Sequence, residues 1–367
     1  MALVTDAFGG HGGIAQYNRD FFETMVNCGL ASSLMVLPRF AANEVVTPPL
    51  VRQLAPRAGR ALYVVAAIRE SLFRSIDVVF CGHLFTAPLA LLIARLKRAK
   101  LIIQMHGIEA WQRPTWPCRM AVEAADLVLC VSRYTRTQVL NWAAIAPERV
   151  VVLPNTVGVR FTPGDGSKLR TEWGLLGKRV LLSVGRMSTQ ERYKGHDRVI
   201  RAVPKLLDAG QDVVYIIVGE GDDRSRLHLL ADQEGVADGV WFTGALDHAT
   251  LVDAYRMADL FVMPSTGEGF GIAFLEAMAC GTPALGLAVG GAVDPLAESG
   301  LGKAVKESDF MSALECALDQ PKPDTTAPAS AVGCRFGRVA FEAGTIAALS
   351  RLDECTRTLA LSAKKQE

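Results

Sequence analysis

Two glutamates seven residues apart form the most specific chemical pattern in the sequence. They are Glu268 and Glu276, in PSTGEGFGIAFLEAMACGTP, where a glycine-rich turn leads into a predicted helix of about residues 272–280. A carboxylate accepts paired hydrogen bonds from neighbouring hydroxyls, so the diols of ribose and hexose are natural ligands. The turn also offers backbone N–H groups to an anion or to sugar hydroxyls, and these belong to Phe270, Gly271 and Ile272. The pattern favours a sugar or nucleotide site over an ordinary charged loop.

Two cations follow the predicted strand of residues 179–185. In SVGRMSTQERYKGHD, Arg186 comes directly after the strand and Lys194 lies further along the same loop. Arginine grips phosphate oxygens with a planar fork, and lysine acts as a compact charge. The carboxyl ends of the strands in an open α/β sheet face the ligand crevice. This pair therefore predicts a diphosphate site, with a solvated basic loop as the alternative.

Glycines crowd the segment DAFGGHGGIAQYNRDFF, between a predicted strand that ends at Thr5 and a helix that begins at about Ile14. Gly12 and Gly13 permit positive φ and a close approach of a ligand to the backbone. The N–H groups at the helix start suit a phosphate. The spacing differs from G-x-G-x-x-G, so a dinucleotide site is poorly supported. A tight turn without any ligand is the alternative.

A histidine follows the predicted strand LIIQM directly. His106 stands in QMHGIEAW, at a strand end where a ligand would lie. An imidazole there can donate to a leaving phosphate or to a sugar hydroxyl. A packed or solvated loop histidine is the alternative.

Short apolar runs, each followed by a helical pattern, organise the whole chain. Continuous apolar runs indicate strands buried on both faces, and the alternation with helices predicts doubly wound parallel sheets. The fold class is therefore α/β. The predicted strands are residues 2–5, 33–37, 77–81, 101–105, 127–132, 150–154, 179–185, 212–219, 240–244, 259–265 and 282–287.

Two breaks divide the chain. PNTVGVRFTPGDGSK is rich in Pro, Gly and polar residues and separates two series of strands. DQPKPDTTAPASAVG (319–333) has too much proline for a regular element. We therefore predict a Rossmann-like domain over 1–158, a second over 159–330, and a helical segment over 331–367 that packs back on the first domain.

Charge is distributed unevenly along the chain. The net charge is +1, yet residues 1–160 hold 17 Lys and Arg against 10 Asp and Glu. This asymmetry suggests an anionic partner for the first half, with simple variation between domains as an equal alternative. MALVTDAFGG lacks the features of a signal peptide, and no long uncharged apolar run predicts a membrane span. The cysteines show no zinc-ligand spacing, and buried reduced thiols would fit a cytosolic protein.

The motifs together resemble the retaining family 4 glycosyltransferases, which have the GT-B architecture of two Rossmann-like domains facing across a cleft. The segment around the two glutamates resembles the family's E-x7-E signature. The other segments follow in the family's order over about residues 3–300: GGHGGIAQYNRD, HGIE, EAADLVLCVSRYTR, VLPNTV, VGRM…YKG and IIVGEGDDRSRL. Thr156 replaces the usual glycine of the VLPNTV hinge.

The resemblance implies a role for each matching residue around the donor phosphates. Gly12 and Gly13 would approach the donor diphosphate. Arg186 and Lys194 would neutralise it and stabilise the leaving group. His106 would lie by the transferred sugar and the β-phosphate.

The resemblance also implies roles around the sugar and the nucleoside. Glu268 and the amides that follow it would hold the donor hexose, and Glu276 would bind the ribose diol. Other residues would line the nucleoside side of the pocket or lie near the base. They are Gly219, Gly221, Gly244 and Leu246.

No metal and no other cofactor is expected, since the nucleotide-sugar is the co-substrate. The sequence has no D-x-D, and Arg186 and Lys194 can supply the positive charge that a cation supplies elsewhere. A retaining double displacement needs two nearby carboxylates. The sequence offers no good second carboxylate for that role. The resemblance implies attack from the leaving-group face instead.

A basic segment in the first half suggests how the acceptor is reached. Residues 52–75 carry five arginines beside an apolar stripe, and RLKRAK follows at 95–100. A basic amphipathic helix can lie on anionic lipid, and packing of its apolar face on the sheet is the alternative. We expect a cytoplasmic protein, peripheral at the inner face of the cell membrane. The arginines are Arg52, Arg57, Arg60, Arg69 and Arg74, and the stripe is Leu62, Val65, Ile68 and Leu72.

The leading hypothesis is a hexosyltransferase of polysaccharide or glycolipid biosynthesis. It would move mannose, glucose or GlcNAc from a GDP- or UDP-sugar to a glycan or polyprenyl-diphosphate-linked acceptor. One alternative is a GT-B sugar-nucleotide epimerase, which would turn over free donor without an acceptor. Another is a non-catalytic nucleotide-sugar-binding protein. Nucleic acid is not an expected partner, because the basic excess is diffuse and no stacking motif accompanies it.

Overall fold

The chain folds into two compact units in the computed structural model, which describes residues 1–42, 45–319 and 325–363. Unit 1 comprises Met1–Thr156 and the chain from Val339 onward, and unit 2 comprises Val157–Arg338. The sequence placed the corresponding divisions after residues 158 and 330. The segment over 331–367 is thus shared between the units rather than separate from both.

The described strands of unit 1 form a seven-stranded parallel sheet in the order β3-β2-β1-β4-β5-β6-β7. The strands are β1 Ala2–Val4, β2 Leu34–Pro38, β3 Val51–Gln53, β4 Val78–Cys81, β5 Lys100–Met105, β6 Leu127–Cys130 and β7 Val150–Val152. The α-helices between them are α1 Gly13–Asn27, α2 Arg60–Leu72, α3 Ala87–Lys97, α4 Trp116–Glu123 and α5 Arg133–Trp142. Chain order reverses on either side of β1, which is the doubly wound arrangement.

Unit 2 contains a six-stranded parallel sheet in the order β10-β9-β8-β11-β12-β13. Its strands are β8 Arg179–Val184, β9 Val213–Val218, β10 Val240–Gly244, β11 Leu260–Met263, β12 Ala284–Leu287 and β13 Gly302–Val305. Its helices are α6 Ser167–Glu172, α7 His196–Asp208, α8 Arg224–Gln233, α9 His248–Met257, α10 Ile272–Ala279, α11 Val293–Glu298, α12 Phe310–Asp319 and α13 Thr326–Phe336.

The central strands are apolar because helices cover both faces of each sheet. Every residue of β6, β9 and β11 is buried. Such strands cannot alternate apolar and polar residues, since neither face meets water. The prediction of two doubly wound parallel-sheet domains is confirmed, and all eleven predicted strands are present.

Two strands were missed, and both lie at sheet edges. β3 (VRQ) and β13 (GKAV) are outermost in their sheets and carry exposed residues. An edge strand has one neighbour and less cover from helices, so its sequence lacks the continuous apolar run that revealed the others.

The prediction that residues 319–333 contain no regular element was wrong in its second half. Helix α13 begins at Thr326 and includes Pro328. A proline in the first turn is compatible with a helix, because the N–H groups there have no intrahelical partner to lose. Residues 320–324 of the same stretch lie outside the described residues.

The final helix, α14 (Arg338–Ala363), contacts unit 1 from Val339 onward. The ring of Phe341 meets the ring of Tyr17 in α1 edge to face, with centroids 5.8 Å apart. Further along, Arg351 Nη1 donates to the carbonyl of Glu148 at 3.2 Å. These contacts join α14 to α1 and to the short segment that precedes β7.

Two further expectations need correction. Helix α2 covers only Arg60–Leu72 of the predicted basic helix, so Arg52 and Arg57 lie before it, and Arg52 is in β3. Cysteine burial is also mixed. Cys81, Cys130 and Cys280 are buried, but Cys316 and Cys334 are exposed.

Candidate functional site

The loop after β8 brings the predicted phosphate-binding cations to the carboxyl edge of the unit 2 sheet. Arg186 follows β8 closely, and Lys194 ends a 3-10 segment, Thr189–Lys194, that leads into α7. Gly195 joins the two helices in the left-handed region, at φ 79°. A Cβ on Gly195 would lie 2.6 Å from the carbonyl oxygen of Pro264. Glycine is therefore required for Lys194 to lie this close to the end of β11.

Lys194 and Glu268 face each other across this edge. Lys194 Nζ lies 3.5 Å from Glu268 Oε1, and the Ser265 hydroxyl donates to the same oxygen at 3.3 Å. Both side chains are mostly buried. The structure therefore brings together the residue expected at the diphosphate and the residue expected at the donor hexose, from segments more than seventy residues apart.

A carboxylate that the sequence analysis missed completes this group. Glu191 Oε1 forms an ion pair with the guanidinium of Arg186, and Glu191 Oε2 lies 3.9 Å from Lys194 Nζ. We call Arg186, Glu191, Lys194 and Glu268 the charged group. Glu191 stands between the two cations in the same loop, so a search for acids within that loop could have found it. Glu191 therefore adds a carboxylate beside Lys194, where the sequence had offered no good second carboxylate for a double displacement.

A buried polar network supports the start of α7 beneath the charged group. The Tyr215 hydroxyl lies 3.3 Å from His196 Nδ1 and 2.8 Å from Ser183 Oγ, and Ser183 also donates to the carbonyl of Val262. Burial, together with the nearby charge of Lys194, lowers the pKa of His196 to about 4. His196 is therefore neutral at physiological pH and adds no charge to the site.

Glycines allow three loops to stack closely beside Arg186. A Cβ on Gly219 would lie 2.1 Å from the carbonyl oxygen of Gly185, and one on Gly221 would lie 2.0 Å from that of Met187. Gly219 N–H also donates to the carbonyl of Gly244 at 2.9 Å. Close backbone packing explains Gly219 and Gly221 without a ligand, and Gly244 is left-handed at φ 74°. Leu246 is half-buried in the loop that follows β10.

The turn between Glu268 and α10 has the conformation that its glycines predicted. Gly271 is left-handed at φ 90° and immediately precedes Ile272, the first residue of α10. No side chain among the described residues caps that helix. The Phe270 side chain is buried, with its ring 6.0 Å from that of Phe336. The turn is thus anchored by packing while the first helical amides remain uncapped by side chains.

Glu276 lies one turn into α10 and has a different set of partners. The Tyr255 hydroxyl in α9 donates to Glu276 Oε2 at 2.7 Å. Burial raises the pKa of Glu276 to about 7, although the Tyr255 hydrogen bond and the charge of Arg160 oppose the shift. Neither Tyr255 nor Arg160 was predicted, because both come from distant parts of the sequence.

The predicted residues of unit 1 lie at the carboxyl edge of its own sheet. His106 Nε2 is 3.0 Å from the carbonyl oxygen of Gly82, and the His106 N–H donates to Glu109 Oε1 at 2.5 Å. Burial lowers the pKa of His106 to about 4. A carbonyl only accepts, so Nε2 carries the proton and Nδ1 has the free lone pair. In this state His106 can accept from a sugar hydroxyl through Nδ1.

The glycine turn and a second histidine lie near the same edge. Gly12 caps α1 at φ 88°, and a Cβ there would have no neighbour within 4 Å, so its backbone approaches open space. Gly13 is the first residue of α1. The sequence analysis missed His83. Burial lowers the pKa of His83, and the negative charges of Glu109 and Asp6 oppose that shift.

Two family models match complementary parts of the chain. The model of Glycosyltransferase Family 4 matches residues 11–160, and that of glycosyl transferases group 1 matches residues 167–323. A relative of 30% identity over 84% of both chains extends the match across both units. The chain belongs to the family 4 glycosyltransferases of GT-B fold. The expectation of a family 4 glycosyltransferase of GT-B architecture, drawn from the motifs, is thereby confirmed.

That relative is the GDP-mannose-dependent monoacylated α-(1-6)-phosphatidylinositol monomannoside mannosyltransferase of Corynebacterium glutamicum. D-inositol 3-phosphate glycosyltransferase 2 of Catenulispora acidiphila is 33% identical over 65% of this chain. That match spans 59% of the relative's own length. The names of both relatives describe glycosyl transfer.

Solved structures share the fold at low sequence identity. HepE of Anabaena in complex with UDP-glucose superposes with a TM-score of 0.75 and 19% identity, over 95% of this chain and 99% of HepE. The lipopolysaccharide outer core galactosyltransferase WaaB gives a TM-score of 0.71 and 17% identity, over 95% of this chain and 98% of WaaB. These similarities establish the GT-B fold.

Histidine, cysteine and carboxylate side chains in the described residues form no cluster of three or more that could hold a metal ion. None of the described helices combines the length and apolarity that crossing a bilayer requires.

Proposed function

We propose that this family 4 glycosyltransferase moves a hexose from a nucleotide diphosphate donor to a glycan or lipid-linked acceptor, with retention of configuration. The observation that carries the proposal is the charged group, in which two cations and Glu268 come together at the carboxyl edge of the unit 2 sheet. The family membership supports the reaction class.

Unit 2 would bind the donor through complementary charge and hydrogen bonds. Arg186 and Lys194 would bind the diphosphate and stabilise the charge that develops on the leaving group. Both contacts to Glu268 fall on Oε1, so Oε2 can accept from a hexose hydroxyl. The first amides of α10 would add further donors. We propose that no metal is needed, because these cations supply the positive charge.

The ribose would bind at Glu276. Tyr255 occupies Oε2, so Oε1 would accept from the ribose hydroxyls. Because the pKa of Glu276 is about 7, the group is part carboxylate and part carboxylic acid near neutral pH. Ribose affinity is therefore expected to depend on pH.

Retention would follow from attack on the leaving-group face. The carboxylates nearest the diphosphate site, Glu191 and Glu268, are both held by cations, which weakens each as a nucleophile. Intact mass spectrometry after incubation with donor alone tests this step. A covalent glycosyl-enzyme would replace the proposal with a double displacement.

The donor and acceptor are proposed from the relatives. The Corynebacterium relative is named for GDP-mannose and for a phosphatidylinositol mannoside, and the HepE structure contains UDP-glucose. GDP-mannose and UDP-glucose are thus the first donors to test. A glycolipid acceptor at a membrane surface is the acceptor class that we propose.

A surface of unit 1 supports peripheral membrane association. Helix α2 buries Tyr63, Ala67 and Ser71, so its predicted apolar stripe does not pack on the sheet. Instead, α2 with the two residues after it and α3 with the residue after it carry exposed apolar and basic side chains, and Lys97 Nζ of α3 approaches the carbonyl of Leu72 at 3.5 Å. We call this surface the basic apolar face. It consists of Leu62, Val65, Leu72, Phe73, Leu92 and Leu96 with Arg60, Arg69, Arg74, Arg95 and Arg98.

Donor binding is the experiment that tests the proposed function. Saturation-transfer NMR would be recorded with EDTA against UDP-, GDP- and ADP-sugars, together with slow donor hydrolysis. Arg186→Ala and Glu276→Ala should each weaken binding of the preferred donor by about tenfold or more. Arg201→Ala is the matched control, because Arg201 is also an exposed arginine paired with acids of unit 2.

The outcomes separate the proposals. Binding that fails in the two site variants and survives in Arg201→Ala supports the assignment. Folded protein that binds no nucleotide-sugar would favour a non-catalytic role. Conversion of free donor without an acceptor into its epimer would favour an epimerase.

A further inference from the structure

Glu191 is the one member of the charged group whose two oxygens each face a different cation. Oε1 pairs with Arg186, and Oε2 lies 3.9 Å from Lys194 Nζ. Its backbone departs from the helical conformation of the neighbouring 3-10 segment, at φ −115° and ψ 25°. This kink directs a carboxylate between the two residues proposed to bind the donor diphosphate.

The partners of Glu191 differ in how freely they can move. The Arg186 side chain is 72% exposed, whereas that of Glu191 is only 16% exposed. Among the described residues, none forms a hydrogen bond to Glu191 Oε2, although the atom is buried. An exposed arginine can change partners at little cost, but a buried carboxylate cannot follow it into solvent.

The charge of the group is balanced without a ligand. Glu191 and Glu268 together offset Arg186 and Lys194. An arriving diphosphate would bring negative charge to cations that already have partners. The diphosphate would therefore compete with Glu191 for the ion pair with Arg186 and for electrostatic attraction to Lys194.

We propose that Glu191 is an internal counter-ion that competes with the donor diphosphate for Arg186 and Lys194. In the unliganded site it pairs with Arg186; on donor binding Arg186 transfers to the diphosphate. After transfer, Glu191 takes Arg186 back and so promotes release of the nucleoside diphosphate. This inference rests on the proposed function of the charged group. Glu191 itself is a positioning residue, because it acts through the two cations.

Glu191→Gln is the informative substitution. Glutamine keeps the shape and an oxygen acceptor for Arg186 but removes the negative charge. The affinity for UDP or GDP should rise about tenfold, with a correspondingly slower dissociation rate. In turnover, KM for the donor should fall and kcat should also fall if release limits the rate.

The experiment is isothermal titration calorimetry of UDP and GDP with wild type and variants, followed by stopped-flow dissociation. Uridine and guanosine are control ligands, since they lack phosphate and should bind both proteins equally. Asp259→Asn is the matched control variant. Asp259 also lies between two arginines of unit 2, Arg170 and Arg179, but at the amino ends of β8 and β11. It should change stability without changing diphosphate affinity.

A double-mutant cycle tests the route of the effect. If Glu191 acts through Arg186, most of the tightening in Glu191→Gln should vanish in an Arg186→Ala background. Should Glu191→Gln fail to fold, as judged by circular dichroism, Glu191→Ala removes the same charge and is expected to tighten binding in the same direction.

Failure of this inference differs from failure of the proposed function. If wild type binds UDP or GDP, and Arg186→Ala weakens that binding, the diphosphate site stands. Unchanged or weaker binding in Glu191→Gln would then overturn the counter-ion role alone. Binding that does not respond to Arg186→Ala would overturn the diphosphate site, and the counter-ion role with it.

Discussion

The Tyr255 hydroxyl donates a 2.7 Å hydrogen bond to Oε2 of Glu276, linking α9 to α10. The bond fixes the glutamate side chain and leaves Oε1 for another donor. Burial nevertheless raises the pKa of this carboxyl to about 7. The proposed ribose ligand is therefore a group that titrates near neutral pH, and its protonation can be followed by nucleotide binding.

Nucleotide affinity should increase as pH rises through about 7. The carboxylate of Glu276 accepts from ribose hydroxyls better than the carboxylic acid does, and the acid predominates below its pKa. The terminal phosphate of a nucleoside diphosphate titrates in a similar range, so the comparison needs a matched ligand. The 2′-deoxy analogue should show a smaller rise between pH 6 and 8. Equal pH profiles for both ligands in calorimetry would contradict the ribose role.

Tyr255→Phe should shift the midpoint of the pH dependence of nucleotide affinity to higher pH. The Tyr255 hydrogen bond lowers the pKa of Glu276, whereas burial raises it. Loss of the hydrogen bond should therefore raise the pKa of Glu276 further. More of the carboxyl is then protonated at pH 7, and nucleotide affinity should fall several-fold, by about 1 kcal/mol. Tyr63→Phe is the control, because Tyr63 is a buried, hydrogen-bonded tyrosine of unit 1. A pH midpoint that is the same in wild type and Tyr255→Phe would argue against the coupling.

Gly195→Ala should destabilise unit 2 more than Gly210→Ala does. Both glycines are left-handed, at φ 79° and φ 82°, so each alanine costs about 1–2 kcal/mol of backbone strain. Only the Gly195 Cβ would meet a neighbour, the carbonyl oxygen of Pro264 at 2.6 Å; a Cβ on Gly210 would lie in open space. Chemical denaturation measures the difference.

Nucleotide binding gives the second readout for this pair. Gly195→Ala should also weaken it, because Lys194 is the preceding residue, whereas Gly210→Ala should leave it unchanged. If both alanines lower stability equally, the close approach to Pro264 is not a constraint.

Stability should fall with acid partly because of His196. Its pKa is about 4 in the folded protein and about 6.5 when unfolded, so the unfolded state binds the proton more tightly. The stability that neutral His196 contributes is complete above pH 6.5 and is lost as pH falls towards 4, by up to about 3 kcal/mol. Glu276, whose folded pKa is raised, acts in the opposite direction between pH 4.5 and 7.

A comparison with His196→Gln isolates the histidine. The free energy of unfolding of wild type minus that of the variant, from urea titrations, should shrink between pH 7 and pH 4.5. A difference that stays constant with pH would show that His196 does not titrate in this way.

Replacing apolar side chains of the basic apolar face should weaken membrane binding. Leu62→Ser together with Val65→Ser removes two exposed apolar side chains, and co-sedimentation with anionic vesicles should fall by about tenfold or more. Leu176→Ser is the control, because Leu176 of unit 2 is 66% exposed and Leu62 is 65% exposed. Wild-type binding that does not depend on anionic lipid would remove the proposal of peripheral association.

Much of the fold follows from local sequence. β6, β9 and β11 are continuous apolar runs because a helix covers each face of the sheet, and that burial is visible residue by residue. β3 and β13 are not visible in this way, since an edge strand needs fewer apolar residues. Helix α13 was missed because a high proline content suggests a break in the helix. Pro328 lies in the first turn, however, where a proline is compatible with the helix.

The residues of the candidate site also divide into those that the sequence identified and those that only the structure revealed. Glycines, cations and the two glutamates at strand ends were recognisable from residue type and order alone, because parallel sheets bring all their carboxyl ends to one edge. The sequence determined which residues lie there. It also determined the family, because several such segments occur in one order.

Only the tertiary structure decided which of these residues touch. Glu191 reaches both Arg186 and Lys194 because the chain kinks at that residue, and no periodicity in the sequence encodes the kink. Tyr255 reaches Glu276 because α9 and α10 pack against each other. Hydrogen bonds, ion pairs and pKa shifts depend on distances of a few ångströms between side chains, and packing alone sets those distances.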